Sequence, residues 1–354
     1  MLEGENGVLL IERCGPVRTE AFFPNDTGFY HQWGLHNEGG DWIVPDADID
    51  APEAWEFETG SSNTIIAIID LGVRADHEDL TPRVYGDPEY HYHGTHVAGI
   101  AAATGNNYSG GAGVNWHAMI LNKVYDSTDH ESLPPLIVSS VNMGADVINN
   151  SWSVDDDNLT IASAVAFAVK MDRVFVAAKG NDDSSDPLYP ADYPFAFSVA
   201  ASNHRDHRCD FSNYGNGVDV AAPGWGIFST FASTPYAYGW DQGTSMAAPF
   251  VSGIASLLQA HRSDLCNDDI LNLIRFSADD IDENPASPGY DDYTGWGRVN
   301  ARQALDFLHP PYSLDQYTRI GGWVHHTDGP PLTWTFFDNP YIYNGDLPPK
   351  KRTG

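Results

Sequence analysis

The most confining feature of this sequence is an alternation. Short apolar runs at 64–70, 118–125, 145–152, 174–178, 195–201 and 218–221 are separated in several places by helical stretches at 95–103, 136–143 and 161–171. A continuous apolar run of that length is what a strand covered on both faces presents. Strand–helix alternation therefore predicts an α/β chain with a mainly parallel central sheet and helices on both faces. In such sheets functional groups collect beyond the carboxyl ends of the strands. Asp70, closing the first run, and Asn181, just past 174–178, are expected there.

One helix breaks the pattern. From Gly243-Thr244-Ser245-Met246-Ala247-Ala248-Pro249 onward, Phe250, Val251, Ile254, Leu257 and Leu258 place apolar residues on more than one face, with Ala247, Ala248, Gly253 and Ala255 among them. A helix apolar most of the way round belongs inside a domain, and small residues let neighbours approach its backbone. Pro249 is expected to be tolerated because it sits near the helix start. Ser245 then stands at the N-terminus of a buried helix, where free N–H groups and the helix dipole favour developing negative charge.

The ends of the chain read differently. Residues 1–25 lack periodicity and read as an arm or remnant. Segment 25–35 is a turn-rich aromatic loop packed on the body, and Ala51-Pro52-Glu53 starts a short helix capped by Asp50. Helices at 268–277 and 300–308 close the main domain, 26–309. Beyond it, 310–354 form a Pro-rich C-terminal extension with a small hairpin over 319–325 and 332–337 and a solvated tail at Lys350-Lys351-Arg352.

Composition narrows the partners. Eighteen basic residues against 49 acidic ones give a formal charge of −31, which excludes nucleic acid and anionic membrane surfaces as natural partners. Only five of the basic residues are Lys, and the acidity fits either life in high salt or carboxylate-rich calcium loops on a secreted enzyme. Three cysteines, Cys14, Cys209 and Cys266, are too few for a disulfide framework; Cys209 and Cys266 are either bridged or two buried thiols. No apolar run reaches membrane-spanning length, and the first residues do not read as a signal peptide.

Four residues flanked by small neighbours carry chemistry: Asp70, His93 in His93-Gly94-Thr95-His96, Asn181 in Gly180-Asn181-Asp182, and Ser245. Serine is a weak nucleophile and needs a base within reach; histidine can be that base, and a buried carboxylate can fix its tautomer. An amide donor can bind the oxyanion of a tetrahedral intermediate. His91, His93 and His96 imitate a zinc cluster, but no further spaced ligand accompanies them, and His96 reads as a hydrogen-bonded core histidine.

In this order, His93-Gly94-Thr95-His96 and Gly243-Thr244-Ser245-Met246-Ala247-Ala248-Pro249, with the Asp70 strand ahead of both, resemble the subtilisin-like serine proteases. The likeness runs from about Asn25 to Leu308 and includes Gln32-Trp33-Gly34-Leu35, Asn149-Asn150-Ser151-Trp152, Tyr189-Pro190-Ala191, Phe211-Ser212-Asn213 and Gly295-Trp296-Gly297-Arg298. It implies a secreted, monomeric endopeptidase acting on protein or peptide substrates. Ser245 would be its nucleophile, His93 its base and then acid, Asp70 the orienting carboxylate, and Asn181 with the Ser245 N–H the oxyanion hole. It also implies a substrate wall at Ser151-Trp152-Ser153, where an extended peptide adds as a strand, and a specificity pocket lined by Ala178 and Leu188. A leucine at 188 predicts a shallow pocket for medium apolar side chains. Asp26, Asp79 and Asn107, with Asn106 as the alternative in the last loop, match the family's strong calcium site, and hard oxygen ligands suit Ca²⁺.

The chain departs from the family pattern at several places. Leu71, Tyr92 and Ser153 replace smaller or hydroxyl residues, and Lys179 replaces a small one, with strand alternation turning it away from the side of Ala178. The Gly-x-Gly of the opposite cleft wall is missing, and Asp129-His130-Glu131 stands in that region. If those carboxylates face the cleft, basic residues upstream of the cleaved bond are favoured. A catalytically silent fold serving as a binding module, and an esterase using the same triad, are the competing readings.

Overall fold

The protein is described from a computed structural model. It covers residues 21–215, 217–281 and 289–308, together with the backbone of two strands at 317–320 and 323–326. Within the body the chain forms α1 (Ala51–Trp55), β1 (Ile65–Asp70), β2 (Val84–Gly86), α2 (Tyr92–Ala102), β3 (Met119–Val124), α3 (Leu133–Asn142) and β4 (Val147–Asn150). It continues through α4 (Leu159–Lys170), β5 (Val174–Ala178), β6 (Phe197–Ser202), β7 (Val220–Pro223), β8 (Ile227–Phe231), β9 (Ala237–Asp241), α5 (Thr244–His261), α6 (Asn267–Phe276) and α7 (Ala301–Asp306).

Seven strands form one sheet in the order β2-β3-β1-β4-β5-β6-β7, with every pairing parallel. Side-chain alternation divides its contents between two cores. Ile66 and Ile68 of β1, Val147 of β4 and Val176 of β5 pack with Val97 of α2 and Val251 and Ile254 of α5 on one face. Ala67, Ile69, Ile148 and Phe175 pack with Ile137 of α3 and Ile161 and Val165 of α4 on the other. Helices thus cover both faces, which is why the strands read as continuous apolar runs rather than as alternating ones.

All six expected strands are present, their ends displaced by at most two residues. The three-residue edge strand β2 and the antiparallel β8–β9 hairpin were not read from the sequence. No residue of β2 is buried, and β9 is nowhere fully buried, so neither carries the apolar signature of its neighbours. The hairpin matters for position, because β9 runs directly into α5 and delivers Ser245.

Three expectations need correction. Asp50 precedes α1 but does not cap it; its carboxylate accepts from Asn300 Nδ2 at 2.7 Å instead. Residues at the end of the expected N-terminal arm already belong to the body, with the Phe22 N–H donating to the Pro52 carbonyl at 2.9 Å and its ring against Trp116. The C-terminal hairpin pairs β10 (Tyr317–Ile320) with β11 (Trp323–His326), so two strands share the stretch 319–325 that was read as one. Its second expected strand, 332–337, lies outside the described residues, as do residues 1–20 of the arm and the basic tail. Cys209 and Cys266 are not bridged: burial pushes the Cys209 thiol up to about 12, and Cys266 Sγ bonds the Asp269 carboxylate at the start of α6. No described helix is long and apolar enough to cross a membrane.

Candidate active site

Asp70 ends β1 at the carboxyl edge of the sheet and is almost wholly buried. Both its oxygens lie 2.9 Å from Nδ1 of His93, the second residue of α2. The approach depends on Gly94, where a Cβ would stand 2.5 Å from the Gly72 carbonyl oxygen and 3.0 Å from Asp70 Cβ. A carboxylate accepts and does not donate, so Nδ1 of His93 carries its proton toward Asp70 and Nε2 keeps its lone pair. Burial opposes the imidazolium, yet the charge and hydrogen bond of Asp70, helped by Asp241, outweigh it, and the pKa of His93 is raised.

The neighbouring histidines do different work. The His91 ring accepts from the His93 N–H at 3.2 Å and caps α2. His96 Nε2 bridges the carbonyls of Ile227 and Gly239 at 3.0 and 3.2 Å, pinning the β8–β9 hairpin, and burial pushes its pKa down to about 4. It is the expected core histidine.

Ser245 occupies the first turn of α5. Pro249, four residues on, has no N–H to give the Ser245 carbonyl, which accepts instead from the Ser151 hydroxyl at 2.8 Å. Proximity to the helix start is thus not the whole reason for this proline; the orphaned acceptor has an outside partner. The Ser245 hydroxyl rests on the Ser151 carbonyl at 3.2 Å rather than on His93. Asn181 follows the end of β5, and its Oδ1 accepts from the N–H and hydroxyl of Thr244 at 2.8 and 3.1 Å. That pairing assigns the amide orientation and turns its NH₂ group away from Thr244. Gly243, at φ 145° and ψ 165°, brings the chain past Asn181 into the helix.

The expected substrate elements lie along the same edge. Ser151 and Trp152 are buried and Ser153 is exposed. Val154 exchanges backbone hydrogen bonds with Tyr189 at 2.7 and 3.0 Å, tying this wall to the segment that carries Leu188. Ala178 and Leu188 are both buried, and Leu188 Cδ1 lies 2.5 Å from where a Cβ on Gly180 would stand. Lys179 is directed as alternation requires, onto Asp192 and away from Ala178. Asp129, His130 and Glu131 form an exposed turn, with Glu131 accepting from Asn158 Nδ2 at 3.4 Å.

Comparison with known sequences decides the family. The profile of the Subtilase family matches residues 61–297. The chain belongs to the subtilase family. Thermitase of Thermoactinomyces vulgaris is 38% identical over 273 residues, covering 73% of this chain and 94% of that protein. A thermophilic serine proteinase of Bacillus sp. (strain AK1) is 37% identical over 315 residues, covering 84% and 73%. Among solved structures, a protease of Pseudoalteromonas arctica PAMC 21717 superposes with a TM-score of 0.69 at 28% identity, over 81% of this chain and 99% of that one. This subtilase is accordingly a subtilisin-like serine endopeptidase.

The three residues read as calcium ligands converge in it. Asp26 accepts from the N–H groups of Asn106 and Asn107 at 2.6 and 3.4 Å. Asp79, fully buried, accepts from Asn107 Nδ2 and the Tyr238 hydroxyl, each at 2.8 Å. Asn107, not Asn106, is therefore the residue whose side chain reaches Asp79. Burial, with the charge of Asp26 adding to it, raises the pKa of Asp79 to about 6. A second acidic group, Asp46, Asp48 and Asp50, gave no signal beyond its spacing in the sequence; its carboxylate oxygens gather within 4.8 Å.

Sequence reasoning also missed Asp241, whose charge reaches His93 from the hairpin, and the Ser151 and Thr244 hydroxyls that hold Ser245 and Asn181. Thr244 lay inside a recognised motif without an assigned task, and Ser151 was assigned only to the substrate wall. Asp241 carried no local signal, because only the turn of β9 brings it near α2.

Proposed function

We propose that this subtilase cleaves peptide bonds through Asp70, His93 and Ser245, by way of an acyl-enzyme. Ser245 Oγ attacks the scissile carbonyl as His93 Nε2 takes its proton, and the same nitrogen returns the proton to the leaving amine. Asp70 holds the imidazole in the tautomer that leaves Nε2 free and stabilises the imidazolium. The amide NH₂ of Asn181 and the first-turn N–H of Ser245 receive the negative charge on the substrate oxygen. Water then repeats the sequence on the acyl group.

The observation that carries this reading is the paired contact of His93 Nδ1 with both buried oxygens of Asp70. In this reading the Ser245 side chain would turn off the Ser151 carbonyl toward His93, and catalytic hydrogen bonds of this kind commonly tighten only with substrate bound. An extended substrate would pair along Ser151-Trp152-Ser153, with the side chain before the cleaved bond entering between Ala178 and Leu188. The catalytic body is the segment 26–309, acting as a monomer.

The donor set of Asp26, Asp79 and Asn107 fits Ca²⁺. The charge of Asp26 bears on Asp79, and the donors the two carboxylates receive among the described residues are neutral N–H, amide and phenol groups; Asn107 would contribute Oδ1, which accepts from the Ser109 N–H at 2.8 Å. A divalent cation would supply the missing positive charge and tie the 26, 79 and 107 loops together.

Activity on denatured casein and on a peptide ester tests the assignment. Ser245→Ala is expected to lose both by about 10⁴-fold or more, the scale known for triads of this family. Casein clearing by Ser245→Ala equal to the parent would remove the assignment, and turnover confined to the ester would make the protein an esterase.

A further inference from the structure

We infer that Lys179 and Asp192 form a positioning pair that sets the depth of the substrate pocket by holding Leu188 in place. The inference rests on the reading of Leu188 as pocket lining. Lys179 directly precedes Gly180-Asn181, yet its side chain is only 2% exposed and its Nζ lies 2.6 Å from Asp192 Oδ1. The other carboxylate oxygen of Asp192 accepts the Leu188 N–H at 2.9 Å, and the Asp192 N–H returns a bond to the Leu188 carbonyl at 3.0 Å. One carboxylate therefore joins an ammonium on the last turn of chain before the proposed oxyanion donor to the backbone of the residue across the pocket.

The far side of Leu188 is equally confined. Its Cδ1 lies against Gly180, and Gly180 gives its N–H to the Thr244 hydroxyl at 3.1 Å, the same hydroxyl that donates to Asn181. Pocket floor, proposed oxyanion donor and start of α5 are thus linked through Gly180. A buried ammonium needs a paired acceptor, so Lys179 cannot release Asp192 without exposing a bare charge. A small residue at 179 would leave the carboxylate without its partner and the Leu188 loop with one anchor fewer. The unusual lysine and the unusual leucine are two parts of one device.

Paired substitutions test this without leaving a lone buried charge. Lys179→Met/Asp192→Ala removes the ion pair and the acceptor of the Leu188 N–H. Lys179→Met/Asp192→Asn removes the charges but keeps an oxygen for that N–H. The readout is the ratio of kcat/KM for peptides with Phe and with Leu before the cleaved bond. The alanine pair is expected to raise the Phe/Leu ratio about tenfold, the scale of a methylene-sized change in an apolar pocket. The rise should come through KM, with kcat on the Leu peptide unchanged, and the asparagine pair, which keeps an oxygen for the Leu188 N–H but not the ammonium that fixes it, should show a smaller rise; a parental ratio there would overturn the role of Lys179. If the alanine pair does not fold, Lys179→Met/Asp192→Leu, which fills the space of the carboxylate with an apolar side chain and likewise removes the acceptor, is read in its place, with the same rise expected.

Leu188→Gly separates the two layers of the argument. An unmoved ratio in Leu188→Gly overturns the pocket reading and this inference with it. A raised ratio in Leu188→Gly beside an unmoved ratio in the alanine pair overturns the positioning role alone.

Discussion

In the proposed mechanism the protonation of His93 decides when this enzyme can work. Only the neutral imidazole would accept the Ser245 proton, and the net effect of burial, Asp70 and Asp241 is to hold the imidazolium to higher pH than usual. Activity is therefore expected to fall with acid through a limb above the ordinary histidine range of about 6.5. Asp241 acts on His93 by charge rather than by contact, so Asp241→Asn should move that limb to lower pH by a fraction of a unit. A pH profile of kcat/KM checks both directions, and a limb that stays in place or moves upward refutes the role of Asp241. The proposed residues Asp70, His93, Asn181 and Ser245 drew notice through their motifs, each with a glycine, Gly72, Gly94, Gly180 or Gly243, within two positions. Asp241 did not, because a charge acting across space leaves no mark on its own neighbours in sequence.

Helix α5 shows how one element is fitted to its task. Pro249 removes a backbone donor inside a buried helix, and the Ser151 hydroxyl at the end of β4 replaces it at the carbonyl of Ser245. Ser151→Ala should then leave a buried acceptor unpaired, at about 1–3 kcal/mol of stability. Adding Pro249→Ala restores an N–H four residues ahead of that carbonyl and should recover part of the loss. Melting temperatures of the two single variants and the double variant measure the coupling, and strictly additive effects would disprove it. The helix itself was evident from its apolar residues on several faces. Its entry hairpin was not, because the half-exposed strand β9 lacks a run of buried side chains.

At the scale of the whole molecule, charge is the dominant fact. A formal charge of −31 repels itself, and salt shortens the range of that repulsion from about 30 Å at 0.01 M to about 3 Å at 1 M. The melting temperature should rise with NaCl; a flat or falling curve would mean that the carboxylates are already balanced locally. Calcium should act at one such place. Chelation by EDTA is expected to lower the melting temperature at pH 8, and added Ca²⁺ to restore it. Protons compete for the same oxygens, so the gain from Ca²⁺ should shrink as pH falls through about 6, where Asp79 takes up its proton. An Asp79→Asn variant that keeps the full response to Ca²⁺ would place the ion elsewhere.

Alternation of apolar runs with helical stretches was enough by itself to determine a doubly covered parallel sheet, because strands buried on both faces draw apolar residues at both parities, and polar ones such as Asn122 and Asn149 enter only with hydrogen-bond partners. Motif spacing likewise singled out Asp70, His93, Ser245 and Asn181 as the residues of the proposed chemistry. Only the tertiary structure decided that Ser151 serves the carbonyl Pro249 abandons, that Lys179 meets Asp192, and that Asn107 rather than Asn106 reaches Asp79. Those partners lie between 13 and 94 residues apart in the chain. Hydrogen bonds and ion pairs are set by direction and distance in space, and neither is written into the order of residues along a chain.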